Sequence, residues 1–236
     1  MNFILEAFKQ AFYLIVNLDR ELLTIICLSL EVSGGALLIA AITGIPIGAF
    51  AGLKKFYGRQ AVLTILNTFM GLPPVVVGLF LYLILSRSGP FGFLSLLYTP
   101  TAMVVAQSIL AFPIVAALTH SACVKVDSNV RLAAKTLGAT SLQITLTVIR
   151  EARYGIIAAV VAAFGRVMAE VGSILIVGGN IAGYTRVMTT TIALETDKGN
   201  FELAMALGII LLLISFAINF VLFSFQKKGV IKHQWL

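Results

Sequence analysis

Residues 22–53 read LLTIICLSLEVSGGALLIAAITGIPIGAFAGL and run straight into the basic turn Lys54-Lys55-Phe56-Tyr57-Gly58-Arg59. Only Glu31 and Pro46 interrupt the apolar run, and roughly 20 such residues suffice to cross a bilayer as a helix. Four comparable stretches follow at about 61–85, 101–124, 154–177 and 201–225, the first of them broken by Pro73-Pro74. The composition agrees: of 236 residues, 59% are apolar and 11% charged, against roughly 25% charged in a soluble domain, and the mean hydropathy is +1.02. A soluble globular fold is excluded. So is a disordered chain, which requires low hydrophobicity and high net charge. The fold class is all-α, a polytopic membrane protein of about five transmembrane helices, with no length left for a separate soluble catalytic domain.

Residues 1–19 are predicted to form a helix lying in the membrane interface. Phe3, Ile4, Ala7, Phe8, Phe12 and Ile15 recur at helical spacing with Glu6, Lys9 and Gln10 opposite them, over a run too short to span. The segment lacks the basic start and cleavage site of a signal peptide and is expected to be retained. The transmembrane domain is read as 20–225, interrupted by a basic segment at 125–153 carrying Lys125, Arg131, Lys135, Arg150 and Arg153. Residues 226–236 form a tail. The net charge of +7 is read as a record of topology and not as a nucleic-acid footprint. With the tail in the cytoplasm, 11 Lys and Arg fall on inner segments and five on outer ones. The positive-inside rule then places the N-terminus outside and the C-terminus in the cytoplasm of a plasma or inner membrane. Cys27 and Cys123 fall near opposite faces and are expected as free thiols.

The chain has no phosphate-binding G-x-x-x-x-G-K-[ST], no H-E-x-x-H and no G-x-S-x-G, and His120 and His233 have no ligand-spaced partners. No catalytic residue, metal site or resident cofactor is expected. If the protein performs energised work, nucleotide chemistry lies on another chain. An intramembrane enzyme, the rival from a different class, would need a nucleophile, base or metal set on facing helices.

The most distinctive polar element is Arg131-Leu132-Ala133-Ala134-Lys135-Thr136-Leu137-Gly138-Ala139-Thr140. Its alanines favour helix and Gly138 permits a sharp turn after about two turns. Spacing alone leaves two readings open, a lever for a partner protein or an amphipathic surface helix without one. Ala133-Ala134 followed by Gly138 resembles the E-A-A-x-x-x-G signature of the membrane subunits of ATP-binding-cassette importers, with Leu132 in the place of the glutamate and Arg150-Glu151 where many members have Leu-Pro. Leu72-Pro73-Pro74-Val75-Val76-Val77-Gly78 is similar to the second-span motif of the molybdate and tungstate branch. The run from Glu170-Val171-Gly172-Ser173 through Gly178-Gly179-Asn180-Ile181 and Tyr184-Thr185-Arg186-Val187 to Glu195-Thr196 resembles tungstate permeases in particular. The resemblance implies a type I ABC importer permease fold and a homodimer. It implies two ATPase subunits that bind the ATP, and an extracytoplasmic oxyanion-binding protein. The substrate it implies is tungstate first and molybdate second, with another oxyanion such as sulfate as the alternative. It also assigns Arg131, Ala133, Ala134, Lys135 and Gly138 to a coupling helix that docks on the ATPase.

Within the membrane, Arg166 and Glu170 stand four apart on one helix face and are expected to pair, because a charge at the bilayer centre costs about 2.5–3.5 kcal/mol. The pair reads either as a brace or as part of a gate. Glu31 is expected to pack against a polar neighbour. Gly44, Gly48 and Gly52 form a flat face for close helix approach. Pro73 and Pro74 remove two donors and should bend or unwind the second span into a pore-lining break. Pro113 reads as an ordinary kink. Gly172, Arg186 and Thr189, with the loop from Gly178 to Thr191, complete the pore or gate candidates. That loop is either a surface turn followed by an interfacial helix, or a set of N–H, hydroxyl and guanidinium donors for a passing oxyanion.

The charge asymmetry gives a direct test of topology. In a background without Cys27 and Cys123, an impermeant thiol reagent applied from outside should modify a cysteine at Ser95 or Asn200 and fail at Gly58 or Gln234; the reverse pattern overturns the orientation.

Overall fold

The computed structural model describes residues 2–16 and 20–233. Met1, residues 17–19 and 234–236, and the side chains of residues 2–5, 7 and 222–233 lie outside what it describes, and with them Phe3, Ile4, Ala7 and Gln234. The described residues form helices and turns with no strand.

Two long helices make the axis of the molecule. Arg20–Leu53 (α2, following α1 at Asn2–Val16) has 34 residues, about 51 Å at 1.5 Å per residue. It lies along Pro100–Val124 (α5). The glycine face does what its spacing predicts. A Cβ on Gly44 would stand 3.1 Å from Val115, one on Gly48 would strike the Ala116 carbonyl oxygen and the Thr119 side chain, and one on Gly52 would stand 3.2 Å from Cys123. The backbones approach so closely only because nothing projects from α2 there. Pro46 and Pro113 both sit within continuous helix.

Between these two helices the second span is split. Arg59–Phe69 (α3) and Pro74–Leu85 (α4) meet at 101°, so Pro73-Pro74 bends the span as expected. Leu63 and Leu66 of α3 are buried toward the middle of α5, where Leu66 packs with Ala116 and Ala117. The basic segment after α5 folds into two short helices, Ser128–Thr136 (α6) and Ser141–Glu151 (α7). Asp127 caps α6 through the Asn129 N–H. At its other end Gly138 adopts φ +78°, its N–H donating to the Lys135 carbonyl and that of Ala139 to the Ala134 carbonyl. This is a Schellman ending, which an L side chain at Gly138 would strain. A capping box of Thr140 and Gln143 starts α7.

The fourth span departs from the sequence reading. It is not one helix over 154–177 but two, Arg153–Met168 (α8) and Gly172–Gly178 (α9), bent by 60°. Helix α9 packs on α4, where a Cβ on Gly78 would stand 2.8 Å from the Ser173 Cα. Met188–Asp197 (α10) is not an interfacial surface helix: Met188, Thr189, Thr190, Thr191 and Glu195 are buried, against Phe201–His233 (α11). Helix α11 continues through most of the segment read as a separate tail. Among the described residues three helices, α2, α5 and α11, are long and apolar enough to cross a membrane, and counting each bent pair as one span gives up to five. Helix α1 leans on α11 and the start of α2 through Ala11 and Leu14, leaving Phe8, Phe12 and Ile15 outward.

Gly48→Ala should force α2 and α5 apart, and overpacking of this kind costs about 1–3 kcal/mol. Gly34→Ala, which meets nothing within 4 Å, is the control. Thermal unfolding in detergent should show a lowered midpoint for the first variant alone.

Candidate functional site

The break between α8 and α9 lies beside the middle of α5, with Val167 packed against Ala111 and Ile114. Ending a helix there leaves carbonyls and N–H groups that hydrocarbon cannot satisfy. Several are met by particular partners. The Val167 carbonyl accepts from the Glu170 N–H at 3.2 Å and from Gln107 Nε2 of α5 at 3.0 Å. The Glu170 carbonyl accepts from Thr189 Oγ1 of α10 at 2.8 Å. Glu170 Oε1 accepts from the Ser173 N–H at 3.0 Å and from Ser173 Oγ at 3.3 Å, while Oε2 pairs with Arg166 Nη1 at 3.0 Å. Arg166 and Glu170 therefore pair as expected, but across a helix end and not along one helix face. The carboxylate side chain is 3% exposed and the guanidinium side chain 33%. Glu170 is thus turned into the protein and neutralised, and the arginine keeps an open side.

The elbow between α3 and α4 touches this break. A Cβ on Gly172 would stand 2.8 Å from Val75 Cγ2 and 3.6 Å from Glu170 Oε1. At the elbow the N–H groups of Met70, Gly71 and Leu72 donate to Leu66, Thr68 and Phe69. Pro73 and Pro74 have no N–H to leave orphaned, and a proline at the first position of α4 is preset for helix. The structure therefore brings Pro73, Pro74, Arg166, Glu170, Gly172 and Thr189 together at two facing breaks.

Arg186 stands apart from them. It faces Glu21 at the start of α2 (3.8 Å) and the Asn180 carbonyl (3.5 Å), and its Nε meets no acceptor among the described residues. The threonine hydroxyls read as donors for a passing anion are already committed: Thr189 to Glu170, and Thr190 and Thr191 to the Val187 carbonyl at 3.1 and 2.7 Å. Glu195, at the far end of α10, is gripped by Lys198 at 2.7 Å and Asn200 at 2.8 Å, which hold its carboxyl below the usual range. Glu31 is exposed on α2 and makes no hydrogen bond or ion pair among the described residues.

At the opposite end, Arg131 Nη2 of α6 donates to the Cys123 carbonyl at 2.8 Å, where a cation is favoured by the C-terminal dipole of α5. Ala133 and Lys135 are exposed, as are Leu132 and Leu137. Among the described residues no group of three or more His, Cys, Asp or Glu could hold a metal ion. Sequence reasoning passed over Gln107, although a single buried amide inside an apolar span was a legible signal.

Residues 44–228 match the family described as binding-protein-dependent transport system inner membrane component. The chain belongs to this family. Among its relatives, the tungstate uptake system permease protein of Peptoclostridium acidaminophilum is 46% identical over 228 residues, 97% of this chain and 100% of that protein. The probable anion ABC transporter permease protein of Haloferax volcanii is 47% identical, over 84% of this chain and 88% of its own length. Two solved structures share the fold of this family member. An inward-facing MetNI methionine ABC transporter gives a TM-score of 0.74 at 16% identity, covering 90% of this chain and 97% of that one. A bacterial alginate ABC importer gives 0.73 at 23% identity, covering 96% and 87%. The expected type I importer permease fold holds, and the chain is a permease subunit and not an enzyme.

Removing one member of a buried pair leaves the other uncompensated, at about 3–5 kcal/mol. Arg166→Met, which strands the enclosed carboxylate, should lower membrane yield more than Glu170→Gln, which strands a partly exposed guanidinium. The double variant should recover folding. Yields that fall additively would show that the two residues do not stabilise each other.

Proposed function

We propose that this chain is the path-forming subunit of an ATP-driven importer for tungstate or molybdate. It acts as a homodimer with two ATPase subunits inside and an oxyanion-binding protein outside, its N-terminus outside and its C-terminus in the cytoplasm. The observation that carries the substrate is the near full-length identity to a tungstate permease, and the partly exposed Arg166 at the paired breaks suits a dianion. Glu170, enclosed by its own donors, does not repel one.

The coupling role rests on a continuous run of contacts. Helix α6 ends in the glycine turn, so it projects as a rigid stub, and Arg131 fastens it to the last turn of α5. Gln107 fastens the middle of α5 to the broken end of α8. Movement of α6, driven by closure of the ATPase pair, is carried by α5 to the break beside Arg166. In this reading Ala133 and Ala134 give a flat docking surface, Lys135 a charge at its rim, and the exposed Leu132 and Leu137 apolar contacts.

Gly138→Glu should abolish or uncouple oxyanion uptake while the protein remains in the membrane, because the substitution strains the αL turn and adds a carboxylate to the docking surface. Leu132→Ala should be milder. The check is uptake of radiolabelled tungstate and molybdate, with sulfate as competitor, into vesicles holding the permease, its ATPase and its binding protein. Normal uptake and ATPase recruitment by Gly138→Glu would remove α6 from the coupling role.

A further inference from the structure

Helix α3 is the first half of the broken second span, yet its exposed surface has two chemistries. At about 100° per residue, Leu63 and Leu66 fall on the buried side. Gln60, Thr64, Asn67 and Thr68 fall on one flank, and Val62, Ile65 and Phe69 on the other. All seven flank residues are exposed.

The helix does not lie flat on the membrane surface, where a polar side would need no explanation. At its foot Arg59 donates to the Ala51 carbonyl at 2.7 Å and lies 3.2 Å from His120 Nε2. At its top Met70 packs with the cluster of Ala111, Ala163 and Val167. It therefore climbs along α5 from near its end to its middle, inside the half of the membrane that faces the coupling segment. There an amide without a partner is costly against lipid. Thr64 and Thr68 donate to the Gln60 and Thr64 carbonyls at 2.9 and 2.8 Å, but the Gln60 and Asn67 amides make no hydrogen bond to any described residue. Both flanks are thus open on this protomer, one set with hydrogen-bonding groups and the other with hydrocarbon side chains, and lipid suits only the second. Lys54 and Lys55 precede α3 in the chain, and the elbow that follows it meets the break after Arg166 through Val75 and Gly172.

We infer that the Gln60–Thr64–Asn67–Thr68 flank of α3 is the wall of the hydrated inner half of the anion's path, with Asn67 Nδ2 donating to the passing tetrahedral oxyanion. The inference rests on the importer reading for the identity of the anion. Uncharged donors between two basic ends suit passage, since an ion must be held firmly enough to enter and loosely enough to leave.

The test places single cysteines at the seven flank positions of the assembled importer, in a Cys27→Ala, Cys123→Ala background. Inside-out vesicles are treated with a charged, impermeant thiol reagent. Cysteines at 60, 64, 67 and 68 should react about tenfold or more faster than those at 62, 65 and 69, whose apolar surroundings suppress the thiolate. Equal rates on both flanks, or protection of the polar flank by a cross-linkable second copy, would overturn the proposal. Asn67→Leu should lower molybdate uptake about tenfold, the weight of one unmade hydrogen bond, with Asn67→Gln partly restoring it. Normal uptake by Asn67→Leu removes the donor assignment. The labelling is read without transport, so absence of wild-type uptake of either oxyanion would sink the importer reading and leave the hydrated flank standing.

Discussion

Hydrocarbon offers backbone groups no hydrogen-bonding partner, and that constraint governs this molecule wherever its helices stop short of the membrane surface. A continuous helix satisfies it internally, as α2 and α5 do except opposite Pro46 and Pro113, which have no N–H to donate. A broken one must import partners, and the two breaks solve the problem differently. At the elbow of α3 and α4 the chain deletes the problem with prolines, which have no N–H to satisfy. Between α8 and α9 it recruits Gln107 from α5 and Thr189 from α10, and adds the carboxylate of Glu170 from the break itself. The first solution is local and the second is tertiary. The α8–α9 break can therefore exist only when α5 and α10 are already in place around it.

This difference also separates what the sequence discloses from what it hides. The starts of the apolar spans were legible to within a few residues, though α11 runs eight residues past its expected end; the proline elbow, the glycine face of α2 and the turn after α6 were legible too, because each follows from residues adjacent in the chain. The break at Ala169–Val171 was not. Ala169 and Val171 break no helix by themselves, and Arg166 with Glu170 matches the four-residue spacing of a helix-surface ion pair, so local pattern pointed to a continuous span. The burial of α10 was hidden for a related reason: consecutive threonines read as surface donors until their hydroxyls are seen turned onto nearby carbonyls. Gln107 and the polar flank of α3 were visible as residues. What they satisfy or face depends on depth in the bundle, which composition does not report.

The two half-helices beyond the breaks, α4 and α9, pack on each other through Gly78 and Gly172, while α3 and α8 pack on α5. The pair is also seated on the long helices, since Val77 and Leu81 of α4 and Ile174 and Val177 of α9 share one apolar cluster with Met103 and Ala106 of α5 and Val32 of α2. The two breaks lie at the end of that cluster, where Gly172 meets Val75.

The short helices also carry a consequence for synthesis. With 12 and 7 residues, neither α4 nor α9 can hold itself across a bilayer of about 30 Å. The inner face of α4, at Val77, Gly78 and Leu81, meets its α9 partner only after roughly 95 more residues have been made, about 5–20 s at ordinary elongation rates. During that interval a half-inserted helix must be sheltered by the insertion machinery or by α5 alone. Nascent-chain maturation is thereby tied to the order of the spans, α4 being followed at once by α5, whose Ala102, Met103 and Ala106 share its apolar cluster.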